Sequence, residues 1–146
     1  MATTPDTPTE TVTFQRWADP VIDQIGWDPA GDYSRICWLP ILGPTSWCVL
    51  LTLHHQFLDP DTDTVTWNLD DLADAHGVGK RGNYPLIKRA LTRLVQFGML
   101  QTLDPNGLVR IRTKLTPLTY RQLARSSDAA QRFHHDASQA RSGKAL

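Results

Sequence analysis

The stretch LDDLADAHGVGKRGNYPLIKRALTRLVQFGML, residues 69–100, decides how this chain folds. Its second half reads as a helix over 84–97. At 100° per residue Ile87, Ala90, Leu91 and Leu94 fall on one side. Pro85, Arg89, Thr92, Arg93 and Gln96 fall on the other, with Lys88 at the edge. Asn83 suits the N-cap and Gly98 the C-terminal stop. Its first half reads as a shorter helix from Asn68 or Leu69, packed through Leu72 and Ala73 and stopped by Gly77. The Gly-rich segment 77–82 is the turn between them.

That turn is also where the charge changes sign. The formal net charge is zero, but residues 1–77 carry twelve acids against Arg16 and Arg35, a net −10. Residues 78–146 carry thirteen Lys and Arg against Asp104, Asp128 and Asp136, a net +10. A basic turn, helix and hairpin in one place are the electrostatic footprint of a nucleic-acid reader. The plainer alternative is that the two halves satisfy each other's charges.

Upstream, Asp19-Pro20 starts a short helix that Gly26 stops, and Asp28-Pro29 opens another helical segment ending near Pro40. Gly43-Pro44-Thr45 opens a central helix through Trp47, Val49, Leu50, Leu51, Leu53, Phe57 and Leu58. Residues 64–67, TVTW, alternate as a short strand. Downstream, 99–103 and 108–113 are strands around Asp104-Pro105-Asn106-Gly107, a hairpin turn. Thr119 with Gln122 is a capping box for a helix over 119–125, and Ser126 or Ser127 caps a last helix toward Ala140.

Helix, strand, helix, turn, helix, strand, turn, strand over 44–114 resembles the winged helix-turn-helix family. The resemblance rests on Leu69, Leu72 and Ala73, on Ile87, Ala90, Leu91 and Leu94, and on the ending LVQFGML. It implies that the 84–97 helix enters the major groove and the hairpin wing touches the backbone or minor groove. The segment WLPILGPTSWCVLLTL, residues 38–53, resembles the start of winged helices in primosome-loading replication proteins of the DnaD/DnaB type. That raises replication or plasmid and phage maintenance beside transcription.

The DNA-facing candidates are Lys80, Arg81, Asn83, Lys88, Arg89, Thr92, Arg93, Gln96, Arg110, Arg112 and Lys114. Arg89 and Arg93 suit bidentate contact with guanine, and Thr92 and Gln96 suit base or phosphate contacts. Lys80, Arg81, Arg110, Arg112 and Lys114 suit phosphate clamps. Asp59-x-Asp61-x-Asp63 has Thr64 where a calcium loop needs Gly and Asp70 where it needs Glu, so a polar loop is expected. His54-His55 and His134-His135 lack metal-ligand spacing. Cys37 and Cys48 read as buried, reduced thiols, and Ser46, Cys48 and His54 as core. Trp38 and Trp47 read as core, while Trp17 and Trp27 pad the domain or anchor a partner. No phosphate loop, nucleophile elbow or HExxH is present, so no enzyme, metal or cofactor is expected.

The expected class is α+β, a mainly helical winged helix-turn-helix with a small antiparallel sheet. Residues 1–13 are expected as a disordered arm and 14–140 as one domain. Within it, 44–114 is the core, 14–40 and 117–140 are flanking helices, and 141–146 is a disordered tail. No apolar run reaches the roughly 20 residues of a membrane span, and the N-terminus lacks signal-peptide character. A cytoplasmic location follows. The expected partners are double-stranded DNA and a second copy through the flanking helices, with a protein at the acidic, Trp-bearing half as a further candidate. An adaptor that binds only protein is the remaining alternative.

Overall fold

The amphipathic helix read from residues 84–97 is α5, Pro85–Gln96, and it buries Ile87, Ala90 and Leu94. Those residues meet α3, Pro44–Gln56, whose Val49, Leu50 and Leu53 are fully buried. The Ser46 hydroxyl donates to the Ala90 carbonyl at 3.3 Å and ties the two helices where a side chain would otherwise be a buried orphan. α4, Leu69–Ala75, adds Leu72 and Ala73 to the same core, and its N-cap is Asn68, which accepts from the Asp71 N–H at 2.7 Å. The computed structural model describes residues 10–82 and 84–144. Residues 1–9 of the arm expected over 1–13 and the N-cap expected at Asn83 lie outside them, as do residues 145 and 146.

Four strands back the helices: β1 Thr11–Trp17, β2 Thr64–Asn68, β3 Leu100–Asp104 and β4 Leu108–Arg112. Their order is β2-β1-β4-β3. β1 runs antiparallel to β2 and parallel to β4, with Phe14 beside Val65 on one side and Val109 on the other. Phe14, Val109, Ile111 and Leu100 face the helices and are buried. By strand alternation the outer face carries Thr13, Gln15 and Trp17 beside Thr66, Arg110 and Arg112.

The chain is therefore α+β, and two expectations about its sheet need correction. The sheet is mixed, not purely antiparallel. Residues 11–13 are not part of a disordered arm, and 14–17 are not helical, because TVTFQRW is a central strand. Its alternation puts Val12 and Phe14 on the core side, and its backbone is satisfied by strands on both sides. β1 also holds the hairpin turn: the Thr13 N–H donates to the Gly107 carbonyl at 2.7 Å. Gly107 has φ +105°, and a Cβ there would sit 2.6 Å from the Thr11 carbonyl oxygen. Only glycine suits that position on both counts.

In the flanking segments Asp28-Pro29 does not open a helix as expected but forms a turn, its Asp28 carboxylate accepting from the Ala30 N–H at 2.9 Å. α1, Pro20–Ile25, is capped by Asp19 and ended by Gly26. A π-helical turn, Ser34–Trp38, leads into α2, Leu39–Leu42; Pro40 sits in its first turn and so does not end it. The Thr119–Gln122 capping box opens α6, Tyr120–Ala124, with both bonds made. α7 covers Asp128–Lys144, so 141–144 extend the last helix and are not a tail. Trp38 is buried and Trp47 half-buried, its indole N–H on Ser34 Oγ at 2.9 Å. Cys48 is exposed, contrary to expectation, while Cys37 is buried. Ser46, Val49, Leu50 and Leu53 define the inward stripe of α3, and Cys48 lies off it. Among the described residues no helix is long and apolar enough to cross a membrane.

Candidate nucleic-acid interface

α5 presents Arg89, Thr92, Arg93 and Gln96 to solvent. The buried stripe of Ile87, Ala90 and Leu94 fixes this orientation, since the opposite face of the same helix must point out. α5 enters from a backbone constraint. Tyr84 has φ +58°, a left-handed conformation uncommon for a residue with a side chain. Pro85 follows it and disfavours the right-handed helical region there.

The two arginines read as a pair have unequal freedom. Arg93 donates from Nε and Nη2 to the Ile41 carbonyl at 3.2 and 2.7 Å, and its guanidinium lies 5.6 Å from the Phe97 ring centre. It thereby satisfies a carbonyl at the C-terminus of α2, where a cation is also favoured by the helix dipole. Arg89 is exposed one turn earlier. Together they line a cleft of about 230 Å³ with Thr45, Ser46, Leu86 and Ala90.

The other basic candidates divide by what holds them. Lys80 pairs with Asp74 at 3.1 Å, which raises its pKa above the ordinary lysine value through that hydrogen bond. Lys88 pairs with Glu10 at 3.0 Å. Arg112 donates to Asp19 at 2.8 Å and to the Gly98 carbonyl at 2.9 Å. The Arg112 hydrogen bond holds the Asp19 carboxyl below its usual range. Arg81 is exposed on the connection between α4 and α5. Three of these ion pairs thus join the acidic half to the basic half. The exposed ones are weak in water, so an external anion can compete for those cations.

Arg110 and Arg112 both lie over the Trp17 ring, at 4.4 and 3.8 Å from its centre. Arg110 also donates to Gln101. The outer sheet face thus holds its arginines on an aromatic, and Trp17 is a support for them more than padding. Lys114 lies past β4 in a different place, lining a second cavity with Trp27 and Asp32. The eleven candidates therefore do not form one continuous cluster. α5 brings Arg89, Thr92, Arg93 and Gln96 together, the sheet brings Arg110 and Arg112 together, and Lys114 stands with neither group. Asn83 lies outside the described residues.

Sequence reasoning missed Trp17, Asp19 and Glu10 as partners of these cations. Trp17 carried a signal, since with β1 recognised its register places it directly beside Arg112. The Ile41 carbonyl that takes Arg93 carried none, because a backbone acceptor has no sequence signature.

His54 is a buried ionisable group on α3. Its Nε2 lies 3.3 Å from Asp28 Oδ1, and its Nδ1 is buried without a partner among the described residues. Burial holds its pKa below the ordinary histidine value, with Asp28 opposing. Burial also raises the Tyr33 hydroxyl to about 12 and the Cys37 thiol to about 11, so neither ionises near neutrality. Comparison with protein-family models, curated proteins and solved structures found no significant match.

Proposed function

We propose that this chain is a double-stranded DNA-binding protein of the winged helix-turn-helix kind, acting in transcriptional regulation without catalysis. One observation carries the reading. α3, β2, α4, α5, β3 and β4 follow one another in the family's order, and α5 exposes Arg89, Thr92 and Gln96 on the face opposite its buried stripe. In this reading α5 enters the major groove, with Arg89 as the base-reading arginine. Arg81, Lys80, Lys88 and Arg110 are backbone contacts. A second copy would dock on α1 and α6, where Val21 is 63%, Ile25 50% and Tyr120 93% exposed.

The test is duplex binding by fluorescence anisotropy over a salt series. About five phosphate neutralisations give a log–log slope of about −4.5. Absence of binding at low salt, or binding indifferent to salt, rejects the reading.

A second reading has its own support. Lys80, Lys88, Arg93 and Arg112 already have acceptors within the chain. That economy suits an adaptor whose partner is a protein. Retained pull-down of a protein partner by a chain that fails the duplex assay would favour it.

A further inference from the structure

The second cavity, about 330 Å³, lies between the 26–33 segment, the end of β4 and α7. Its floor is rigid. Trp27 exchanges two backbone hydrogen bonds with Leu115, each 2.8 Å, and stacks on Tyr33 with ring centres 4.3 Å apart and planes within 5°. The Tyr33 hydroxyl accepts from the Leu118 N–H at 3.0 Å and meets His134 Nδ1 at 2.6 Å. Phe133 and Ala137 of α7 supply the facing apolar wall.

The polar groups around these rings carry both signs. Two are already used. Asp28 meets His54 Nε2 at 3.3 Å and accepts from the Ala30 N–H at 2.9 Å. Arg141 covers the Trp27 ring and donates to the Ile25 and Gly26 carbonyls. Asp32 and Lys114 remain on the rim, one anion and one cation. The Trp27 indole N–H is buried with no acceptor among the described residues. That nitrogen exposes less than 1 Å² to solvent, so a ligand in the open cavity does not reach it.

We propose that this cavity binds a free α-amino acid with an apolar side chain. The ammonium group pairs with Asp32 and the carboxylate with Lys114. The side chain packs on Phe133, Ala137 and Tyr33. A ligand with one charge leaves Asp32 or Lys114 without a counterion, which discriminates against it. Both faces of the Trp27 ring are covered, by Tyr33 and Arg141, so neither is open to the ligand. The site does not depend on the DNA reading, since nothing in it uses α5.

The test is isothermal titration of the full chain with L-phenylalanine and L-leucine, with phenylacetate and phenethylamine as single-charge analogues. The amino acids should bind, and each analogue should bind about tenfold more weakly or worse. Asp32→Asn, an exposed change, should weaken the amino acids about tenfold. Ala137→Trp should fill the cavity and abolish binding, with circular dichroism confirming its helix content. Absence of binding by either amino acid overturns the proposal. So does equal binding of the analogues, or unchanged affinity in Asp32→Asn.

Discussion

The Arg112 guanidinium donates to the Asp19 carboxylate at 2.8 Å, joining the end of β4 to the N-cap of α1. One arginine thus bonds Asp19, the Gly98 carbonyl and the Trp17 ring, and its side chain is only 14% exposed. Arg112→Ala should destabilise the fold by about 2 kcal/mol through lost hydrogen bonds and a stranded acceptor. It should do so with little change in the salt slope of duplex binding. Urea unfolding and anisotropy on the same variant check both. A variant of wild-type stability with a flatter slope would mean that Arg112 serves phosphate after all. Asp19 adds a pH term. Its folded pKa is depressed, so its contribution is complete above the unfolded value near 3.8 and is lost as pH falls below it.

His54 gives a second pH term at milder acidity. Burial depresses its folded pKa, so the fold favours the neutral ring. Its stability is complete above the unfolded pKa of 6.5 and declines as pH falls below that value. Urea midpoints at pH 7.5 and 5.5 should fall for wild type and fall less for His54→Leu. Equal declines would assign the loss to other groups.

Arg89→Ala and Arg93→Ala should behave differently despite lying on one face of α5. Arg89→Ala should cost about 1–3 kcal/mol on the preferred site, relax sequence preference and leave stability unchanged. Arg93→Ala should lower the unfolding midpoint as well, because it leaves the Ile41 carbonyl without its donor. Competition binding with thermal melts of both variants separates the two.

Glu10→Gln should tighten non-specific duplex binding at low salt by about two- to threefold, as Lys88 loses a competing carboxylate. The gain should vanish near physiological ionic strength, where exposed charges are screened within about 8 Å. Affinities at two salt concentrations decide it, and an equal affinity at low salt shows that the pair does not compete with DNA.

The helices were legible because each carries its own signal. The buried stripe of α5, the Asn68 and Asp19 caps and the Thr119–Gln122 box are all local patterns within four residues. β1 was not legible in the same way. Thr11–Trp17 alternates, but it follows a polar Thr- and Pro-rich stretch, and its partners lie about fifty and about ninety-five residues away. Pairing at that distance leaves no local mark. The candidate cations were legible as a set, but their partners were not. Ile41 and Gly98 accept through backbone oxygens, and Asp19, read as a helix cap, also serves Arg112.

The placement of β1 sets an order of events during synthesis. Its parallel neighbour, β4, ends at Arg112, so the sheet cannot close until more than 112 residues have left the ribosome. Until then β1 and β2 can pair only as an isolated ribbon with both edges open, which is marginally stable in water. The contacts between α3 and α5 span far shorter loops and close at lower entropic cost. The nascent chain should therefore pass through a helical intermediate whose β1 edge is unpaired. Its vulnerable period ends when β4 arrives, and a stall before that point exposes a strand template to neighbouring chains.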